Sequence, residues 1–317
     1  MDKEENLVSR SVRVQWVLLL LLAGVPWFFF GGPGAYGSRS FVALWDLGHV
    51  LFFLLTSWLL CKTFRYRFQE ASAVTVQGGV FLIVLVSGIV VEGLQMCFDG
   101  RSPDVHDILR NQLGSLIALA FFDSGTMRLK RWGAALFRGA VVILLVVASY
   151  PLARAVVDEC IALSQFPLLS DFATPFEADR WKDEKLVSVQ DDIARHGNHS
   201  LKVELTTDTY SGVSLCHFPG NWKGFEYLSI SVFLPEEEPL KLVCRIHDSE
   251  HNNEYADRFN RSFVLENGWN DLVIPLNDVQ TAPVDRLMKM DRIENITLFV
   301  TRQDKGRVIY IDYVFLR

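Results

Sequence analysis

Apolar residues are arranged differently in the two halves of the chain. In the first half, five stretches approach the roughly 20 apolar residues of a transmembrane helix, at 14–31, 42–61, 76–98, 105–122 and 135–157. From about Phe166 onward, apolar and polar residues alternate in short segments separated by turn residues. Alternation with period two is typical of half-buried β-strands. The sequence therefore predicts an α-helical transmembrane bundle of about five spans, followed by an all-β sandwich.

These patterns predict the domain organisation. We expect a multi-pass membrane domain over 1–157, a linker over 158–165 and an extracytoplasmic β-sandwich over 166–317. The alternation is clearest at 201–205, 240–246, 296–300 and 309–313. About 150 residues of this kind are enough to bury a core of their own.

Charge follows the same division. The first 157 residues contain 14 Lys and Arg against 10 Asp and Glu, a net charge of +4, whereas the remainder contains 17 against 27, a net charge of −10. This distribution excludes one uniform globular domain and a disordered chain. It also excludes a protein that binds nucleic acid through overall basic charge, so we expect no nucleic-acid partner.

The basic residues also predict an orientation, because short loops rich in Lys and Arg stay in the cytoplasm. Such loops precede span one and follow spans two and four, with basic residues at Arg10, Arg13, Lys62, Arg65, Arg67, Arg128, Lys130 and Arg131. Five spans then place the N-terminus in the cytoplasm and the sandwich outside. Span one as a cleaved signal peptide is an open alternative, although its aromatic end, Trp27–Phe30, is not the small-residue pattern of a cleavage site.

Polar residues gather at the predicted outer ends of three spans. In span two and in span three, a pair spaced by three residues lies on one helical face, and span four begins with further polar residues. An arginine lies in the loop between spans three and four. We call this set the polar cluster; it comprises Asp46, His49, Glu92, Gln95, Arg101, Asp107 and Asn111.

The polar cluster has two interpretations. Ionisable groups inside a membrane cost several kcal/mol unless they are paired or hydrated. The cluster could tie three helices together, or it could line a pocket that opens outward. Carboxylates, an imidazole and a guanidinium together exceed what helix association requires, which favours the pocket. The residues of the cluster are therefore the candidates for any catalysis.

The same residues resemble a known family. Asp46-Leu47-Gly48-His49, Glu92-Gly93-Leu94-Gln95, and the segment from Arg101 through Asp107 and Asn111 to Gly114 are similar to the signature of the VanZ-like membrane proteins. The resemblance covers about residues 14–122. It implies a link to the bacterial cell envelope and, through the family's namesake, to glycopeptide resistance, but no agreed chemistry. One departure is Leu47, where many members have a lysine.

The second half resembles carbohydrate-binding modules of the galactose-binding-like jelly-roll type. The resemblance depends on Ser170-Asp171-Phe172, Gly268-Trp269 and the closing Ile311-Asp312-Tyr313-Val314. It implies that the sandwich is a jelly roll that binds glycans. It also implies one cofactor, a structural calcium ion bound by Asp171 and Asp312 with Glu177 as a further ligand.

One segment concentrates hydrogen-bonding groups beside aromatic rings, as sugar sites do. Its candidate carbohydrate-binding residues are His247, Asp248, His251, Tyr255, Asp257, Arg258 and Phe259. The alternative is a solvated polar loop. We interpret Trp181, Trp222 and Trp269 as core or hairpin aromatics rather than as stacking platforms.

The five cysteines lie in different predicted compartments. Cys61 lies at the cytoplasmic end of span two and should remain a thiol, whereas the others face an oxidising compartment. A disulfide between Cys216 and Cys244 is one pairing that this location allows, although sequence does not show whether their Cα atoms come close enough.

Two functions remain. The first is an envelope membrane protein, located in the bacterial plasma membrane, that displays a glycan-binding domain and contacts lipid or a lipid-linked glycan. The second is a membrane enzyme that uses the polar cluster on an envelope glycolipid. The chain contains no G-x-S-x-G, phosphate-binding glycine loop, H-E-x-x-H or C-x-x-C motif. The enzyme hypothesis therefore depends on the polar cluster.

Overall fold

The computed structural model describes residues 37–95, 104–123, 131–182 and 186–317. The chain divides between Ala153 and Arg154 into a helical unit and a β-sheet unit. The described helices of the first unit are α1 (Arg39–Arg67), α2 (Ala73–Gln95), α3 (Val105–Ile117), a π-helix (Ala118–Phe122) and α4 (Arg131–Gln165), of which α4 continues into the second unit.

Three described helices, α1, α2 and α4, are long and apolar enough to cross a membrane. They coincide with the predicted spans 42–61, 76–98 and 135–157. Large apolar side chains on α2 and α4 point away from the protein, among them Leu82, Val86, Ile89, Leu136, Ile143 and Val147. Such a surface is unfavourable in water and suits a lipid environment.

The other two predicted spans are not among these three helices. The predicted span 14–31 lies outside the described residues. Span 105–122 consists of the 13 residues of α3 and the five of the π-helix, and it is not among the three membrane-spanning candidates. Its first turns contain Asp107, Arg110 and Asn111, which lower its mean hydropathy. The number of spans therefore stays a prediction.

Helices α1 and α3 approach each other through a glycine. A methyl group on Gly114 would lie 2.3 Å from the carbonyl oxygen of Val50 and 2.8 Å from the backbone nitrogen of Leu54. Small residues allow such close backbone contact between membrane helices. Val50 also packs with Leu113 and Ile117 of α3 and with Val141 of α4 in one apolar cluster. The glycine therefore sets the distance between α1 and α3.

A buried carboxylate joins three elements of the helical unit at the end away from the polar cluster. Asp123, which follows the π-helix, accepts hydrogen bonds from Arg65 of α1 at 2.8 and 2.7 Å. Gln77 of α2 donates to the same carboxylate at 2.6 Å. This contact between sequence-distant groups fixes the C-terminal end of α1 against the N-terminal part of α2.

The second unit is a β-sandwich, as the alternation predicted. Its strands are β1 (Leu168–Ser170), β2 (Trp181–Lys182), β3 (Val187–Gln190), β4 (Ser200–Leu205), β5 (Tyr210–Leu215), β6 (Tyr227–Leu234), β7 (Leu240–Asp248), β8 (Phe259–Leu265), β9 (Gly268–Pro275), β10 (Ile293–Thr301) and β11 (Arg307–Leu316). Short helices are α5 (Leu276–Gln280) and the 3₁₀ turns Glu177–Arg180 and Tyr255–Asp257.

The strands form two antiparallel sheets. Sheet A has the order β3-β4-β11-β6-β9, with β1 also paired to β11, and sheet B has the order β2-β5-β10-β7-β8. From β4 onward, successive strands lie in alternate sheets except for the β7–β8 hairpin. The inward residues of both sheets, such as Leu201, Leu242 and Ile311, are fully buried in one core. The strand pairing confirms the predicted sandwich.

Helix α4 extends through the predicted linker at 158–165, and its last turns pack within the β-sheet unit. Asp158 is fully buried, and its carboxylate accepts hydrogen bonds from Nε and Nη2 of the equally buried Arg180 at 3.0 and 2.8 Å. Arg154 forms a second, partly exposed ion pair with Asp179. The segment contains no glycine or proline that would end the helix early.

The pairing of Cys216 with Cys244 that the sequence allowed does not form. Both cysteines are buried free thiols, as is Cys61, while Cys160 is an exposed free thiol. Strand β10 lies between β5 and β7, and two strand spacings of about 4.8 Å exceed the usual Cα separation of a disulfide. Cys97 lies outside the described residues.

We expect Gly114→Ala to destabilise the helical unit by about 1–3 kcal/mol, because the added methyl group overlaps the α1 backbone. Thermal unfolding of the detergent-purified protein measures this. Gly79→Ala is the matched control, since nothing lies within 4 Å of a methyl group at that position. Equal unfolding midpoints for the two variants would contradict the close α1–α3 contact.

We expect Asp158→Asn to destabilise the 154–317 fragment by about 3 kcal/mol, because it leaves the buried Arg180 charge without its partner. Urea unfolding of the fragment gives this value. Asp179→Asn, which removes the partly exposed pair with Arg154, should cost less than about 1 kcal/mol. Similar losses in the two variants would show that the buried pair does not hold the helix end.

Candidate functional site

The structure brings together the described members of the polar cluster. His49 of α1 and Asn111 of α3 are buried, and His49 Nδ1 lies 3.1 Å from Asn111 Oδ1. His49 Nε2 lies 3.8 Å from the Asp107 carboxylate. Because the amide oxygen of Asn111 only accepts, Nδ1 donates to it, and Nε2 is the ring nitrogen that faces Asp107.

Glu92 of α2 is also buried, and it binds the start of α3. Its Oε2 accepts a hydrogen bond from the backbone nitrogen of Asp104 at 2.7 Å. Asp104 is the N-cap of α3, and its own carboxylate accepts from the backbone nitrogen of His106 at 2.8 Å. A carboxylate at a helix N-terminus is stabilised by the unpaired N–H groups and the helix dipole. Glu92 therefore connects α2 to α3.

Sequence reasoning missed the central cation of the cluster. Arg110 of α3 forms ion pairs with Asp46 at 2.8 Å and with Asp107 at 2.6 Å. Its spacing of three residues from Asp107 was the available signal. Arg101, the predicted cation, lies outside the described residues. Gln95 is buried at the C-terminal end of α2.

The arrangement serves both interpretations of the cluster. Ion pairs and hydrogen bonds join α1, α2 and α3, as the structural interpretation requires. The same contacts hold an imidazole next to a carboxylate, which is an arrangement suited to proton transfer. These contacts do not test a catalytic role for any residue of the polar cluster, so catalysis by the cluster stays a prediction.

In the β-sheet unit, the predicted sugar segment 247–259 divides into structural and exposed residues. Asp248 and Asp257 both bind Arg286, at 2.6 and 2.5 Å. The hydrogen bond from Arg286 lowers the pKa of Asp257 to about 2. Burial alone would raise the pKa of Asp248, but hydrogen bonds from Arg286 and the Lys289 backbone lower it overall. These carboxylates anchor a loop.

The remaining predicted residues also separate. The buried His247 ring stacks on His251 at 4.6 Å, and burial lowers the pKa of His247. Phe259 is buried in the sandwich core. Tyr255 is 73% exposed, and the guanidinium of Arg258 lies 5.3 Å from its ring centroid. Tyr255 and Arg258 are therefore the residues of this segment that are available to a ligand.

These two residues adjoin a larger surface that the sequence did not reveal. On the outer side of sheet B, Tyr210 of β5 is 67% exposed, and its ring lies 6.0 Å from Phe299 of β10. The guanidinium of Arg245 on β7 lies 4.7 Å from the Phe299 ring. We define the aromatic–basic face as Tyr210, Arg245, Tyr255, Arg258 and Phe299.

Strand register explains how distant residues form this face. Phe299 pairs with Gly212 of β5 and with Val243 of β7, and the next outward position of β7 is Arg245. A Cβ atom on Gly212 would lie 2.1 Å from the carbonyl oxygen of Leu298 and 2.5 Å from the Cβ atom of Phe299, so the glycine allows β5 to lie this close to β10. Arg245 pairs in turn with Asn260 of β8, whose side-chain oxygen lies 3.4 Å from Arg245 Nε.

Beside this face lies a groove of about 410 Å³, lined by residues that include Tyr255, Arg258 and Asn260. In the part of the chain that the structure describes, the buried Asn260 Nδ2 and Arg258 Nε atoms have no hydrogen-bond acceptor. Buried donors normally have partners. The groove therefore adjoins two buried donor atoms that have no acceptor among the described residues.

The residues predicted to bind calcium lie near one another, but Glu177 does not fit as a ligand. Its two oxygens accept five hydrogen bonds, from Ser170, Asp171, Phe172 and Thr174. Burial, opposed by backbone N–H donors, raises the pKa of Asp312, and nearby Asp171 adds to the rise. The described residues contain no group of three or more His, Cys, Asp or Glu arranged for a metal. Calcium binding by Asp171 and Asp312 stays a prediction.

No protein-family model matches the chain, and no curated protein matches it. The resemblance to VanZ-like proteins therefore stays a prediction.

Solved structures similar to this chain include two carbohydrate-binding modules. One is a family 11 module from Clostridium thermocellum in complex with a β-1,3-1,4-mixed-linked tetrasaccharide, at 15% identity and a TM-score of 0.36, covering 47% of this chain and 93% of that one. The other is a non-crystalline cellulose specific module, CBM28, at 12% identity and a TM-score of 0.35, covering 48% of this chain and 94% of that one. An exo-β-agarase structure is also similar, at 14% identity and a TM-score of 0.37, covering 47% of this chain and 24% of that one. These TM-scores are low, and the sandwich is defined by its own strand pairing.

Proposed function

We propose that this chain is a membrane protein of the bacterial cell envelope that presents a glycan-binding sandwich outside the plasma membrane. The observation on which the proposal depends is the aromatic–basic face of sheet B. The three apolar helices support membrane attachment. The basic residues of the predicted inner loops support an orientation in which the sandwich is extracytoplasmic.

The face has the chemistry that sugar recognition needs. The CH faces of a pyranose ring stack on aromatic rings, while its hydroxyl groups need hydrogen-bond donors and acceptors. Tyr210 and Tyr255 are largely exposed, and Thr297 and Asn260 pair with Arg245 on the neighbouring strands. Exposed aromatic side chains beside polar groups mark a binding surface.

The membrane domain suggests which glycans are relevant. The polar cluster lies in apolar helices, so a ligand there would have both polar and lipid parts, as a lipid-linked glycan has. The resemblance to VanZ-like proteins supports an envelope role, and it suggests tolerance of glycopeptides as the phenotype to examine. Membrane lipid and a cell-wall or surface polysaccharide are the partners that this proposal requires.

We expect Tyr210→Ala and Tyr255→Ala each to weaken glycan binding about tenfold, or about 1.4 kcal/mol, because each removes a stacking surface. Binding of the full-length protein in detergent to a polysaccharide array identifies the ligand, and titration calorimetry measures the affinity. Tyr227→Ala is the control, since Tyr227 is exposed on sheet A. Equal affinities for all three variants would place the site elsewhere.

A second function is favoured by the geometry of His49. We propose as the alternative a membrane enzyme acting on an envelope glycolipid, with His49 as the proton-transfer group. Asn111 orients its ring through Nδ1 and leaves Nε2 towards Asp107. An imidazole held next to a carboxylate in this way is an arrangement suited to general acid or base catalysis.

The enzyme hypothesis predicts that His49→Gln abolishes a lipid conversion without unfolding the protein. Lipid extracts from cells that express the wild type or the variant are compared by mass spectrometry, and the enzyme produces a species that the variant lacks. Thermal unfolding in detergent controls for folding. Identical lipid profiles in cells with the wild type, with the variant and without either protein would exclude the catalytic function.

A further inference from the structure

Charge on the outer side of sheet B has one sign. In the strand segments Tyr210–Ser214, Lys241–His247, Asn260–Val264 and Asn295–Thr301, the outward positions include no aspartate or glutamate but include Lys241 and Arg245. The part of the chain after residue 157 has a net charge of −10. A basic surface on an acidic domain points to an anionic ligand.

Most cations of the sandwich are already neutralised. Arginines and lysines elsewhere in this unit form ion pairs, among them Arg180–Asp158, Arg195–Asp271, Lys202–Glu204, Lys223–Asp291, Arg261–Asp278 and Arg286–Asp248. Arg245 and Arg258 form no ion pair with any carboxylate in the described ranges. The candidate site therefore contains two guanidinium groups whose charge no carboxylate of the described residues neutralises.

The structure holds these two charges in place despite their repulsion. Arg245 stacks on Phe299 and Arg258 on Tyr255. Burial lowers the pKa of Arg245, and the like charge of Arg258 lowers it further. Arginine nevertheless stays protonated in proteins. A bound anion would relieve this repulsion, and the planar guanidinium group is suited to carboxylate, sulfate and phosphate.

We propose that the glycan bound at the aromatic–basic face is acidic, and that Arg245 and Arg258 bind a carboxylate or sulfate group on its sugar ring. The tyrosines stack on the ring, and the side-chain amide of Asn260 bonds one of its hydroxyl groups. The inference rests on the proposed glycan-binding function and narrows its ligand to uronic acid-containing or sulfated polysaccharides.

Two matched pairs of polysaccharides test the inference with the full-length protein in detergent. Polygalacturonate is compared with its methyl ester, which has the same sugars without the charge, and κ-carrageenan is compared with the neutral galactan agarose. We expect at least tenfold tighter binding to a charged member than to its neutral partner. Raising the salt concentration from 0.05 to 0.5 M should reduce the difference.

Variants locate the effect. Arg245→Gln and Arg258→Gln should each reduce the preference for the charged member at least fivefold, whereas Lys223→Gln, which alters an exposed lysine elsewhere on the sandwich, should leave it unchanged. Arg245→Lys keeps the charge and loses the planar fork, so an intermediate loss supports recognition by geometry as well as charge. Thermal unfolding shows whether each variant folds. The comparison of charged with neutral polysaccharides uses the wild-type protein, so it tests the inference even if a variant does not fold.

The outcomes separate this inference from the proposed function. Equal binding to charged and neutral members overturns the acidic ligand and leaves glycan binding intact. Failure to bind any polysaccharide on an array with both classes rejects glycan binding and the acidic ligand together. Binding to phosphatidylglycerol vesicles that matches binding to charged polysaccharides would also overturn the inference, because the surface would then recognise anions without sugar. Preference for only the carboxylate or only the sulfate pair supports it and identifies the group.

Discussion

A polar group removed from water must find its partner within the protein, and both units of this chain are arranged around that constraint. In the helical unit, buried groups find partners at two levels. At one level Glu92 accepts from the backbone of Asp104 and His49 contacts Asn111, and at the other Asp123 accepts from Arg65. In the sandwich, the buried Asp158–Arg180 pair attaches the end of α4. The burial of apolar surface stabilises the fold, and these polar contacts determine which apolar surfaces pack against each other.

The same constraint distinguishes a binding surface from a structural one. Asp248 and Asp257 looked like ligand-binding groups in the sequence, yet Arg286 occupies both. Arg258 belonged to the same predicted segment and Arg245 did not, yet both lie beside exposed tyrosines without a carboxylate partner among the described residues. Polar residues that satisfy each other stabilise the fold, whereas those whose needs remain unmet can bind something else.

The sequence predicted what depends on local periodicity. Continuous apolar runs identified α1, α2 and α4, and alternation identified the strands and their inward residues. The helix spacing of Asp46, His49, Asp107 and Asn111 placed them on common faces, which is why they were found together. What could not be predicted depends on pairing between distant segments: the register that brings Phe299 beneath Arg245, and the Asp158–Arg180 contact that keeps residues 158–165 helical.

The free thiols have a practical consequence for the sandwich. Burial raises the pKa of Cys244 to about 12 and also raises that of Cys216, so neither forms the thiolate that reacts with electrophiles at neutral pH. Cys160, on the exposed side of α4, is accessible. Within residues 154–182 and 186–317, Cys160 is therefore the exposed thiol to which a fluorescent or spin label can be attached without entering the sandwich core.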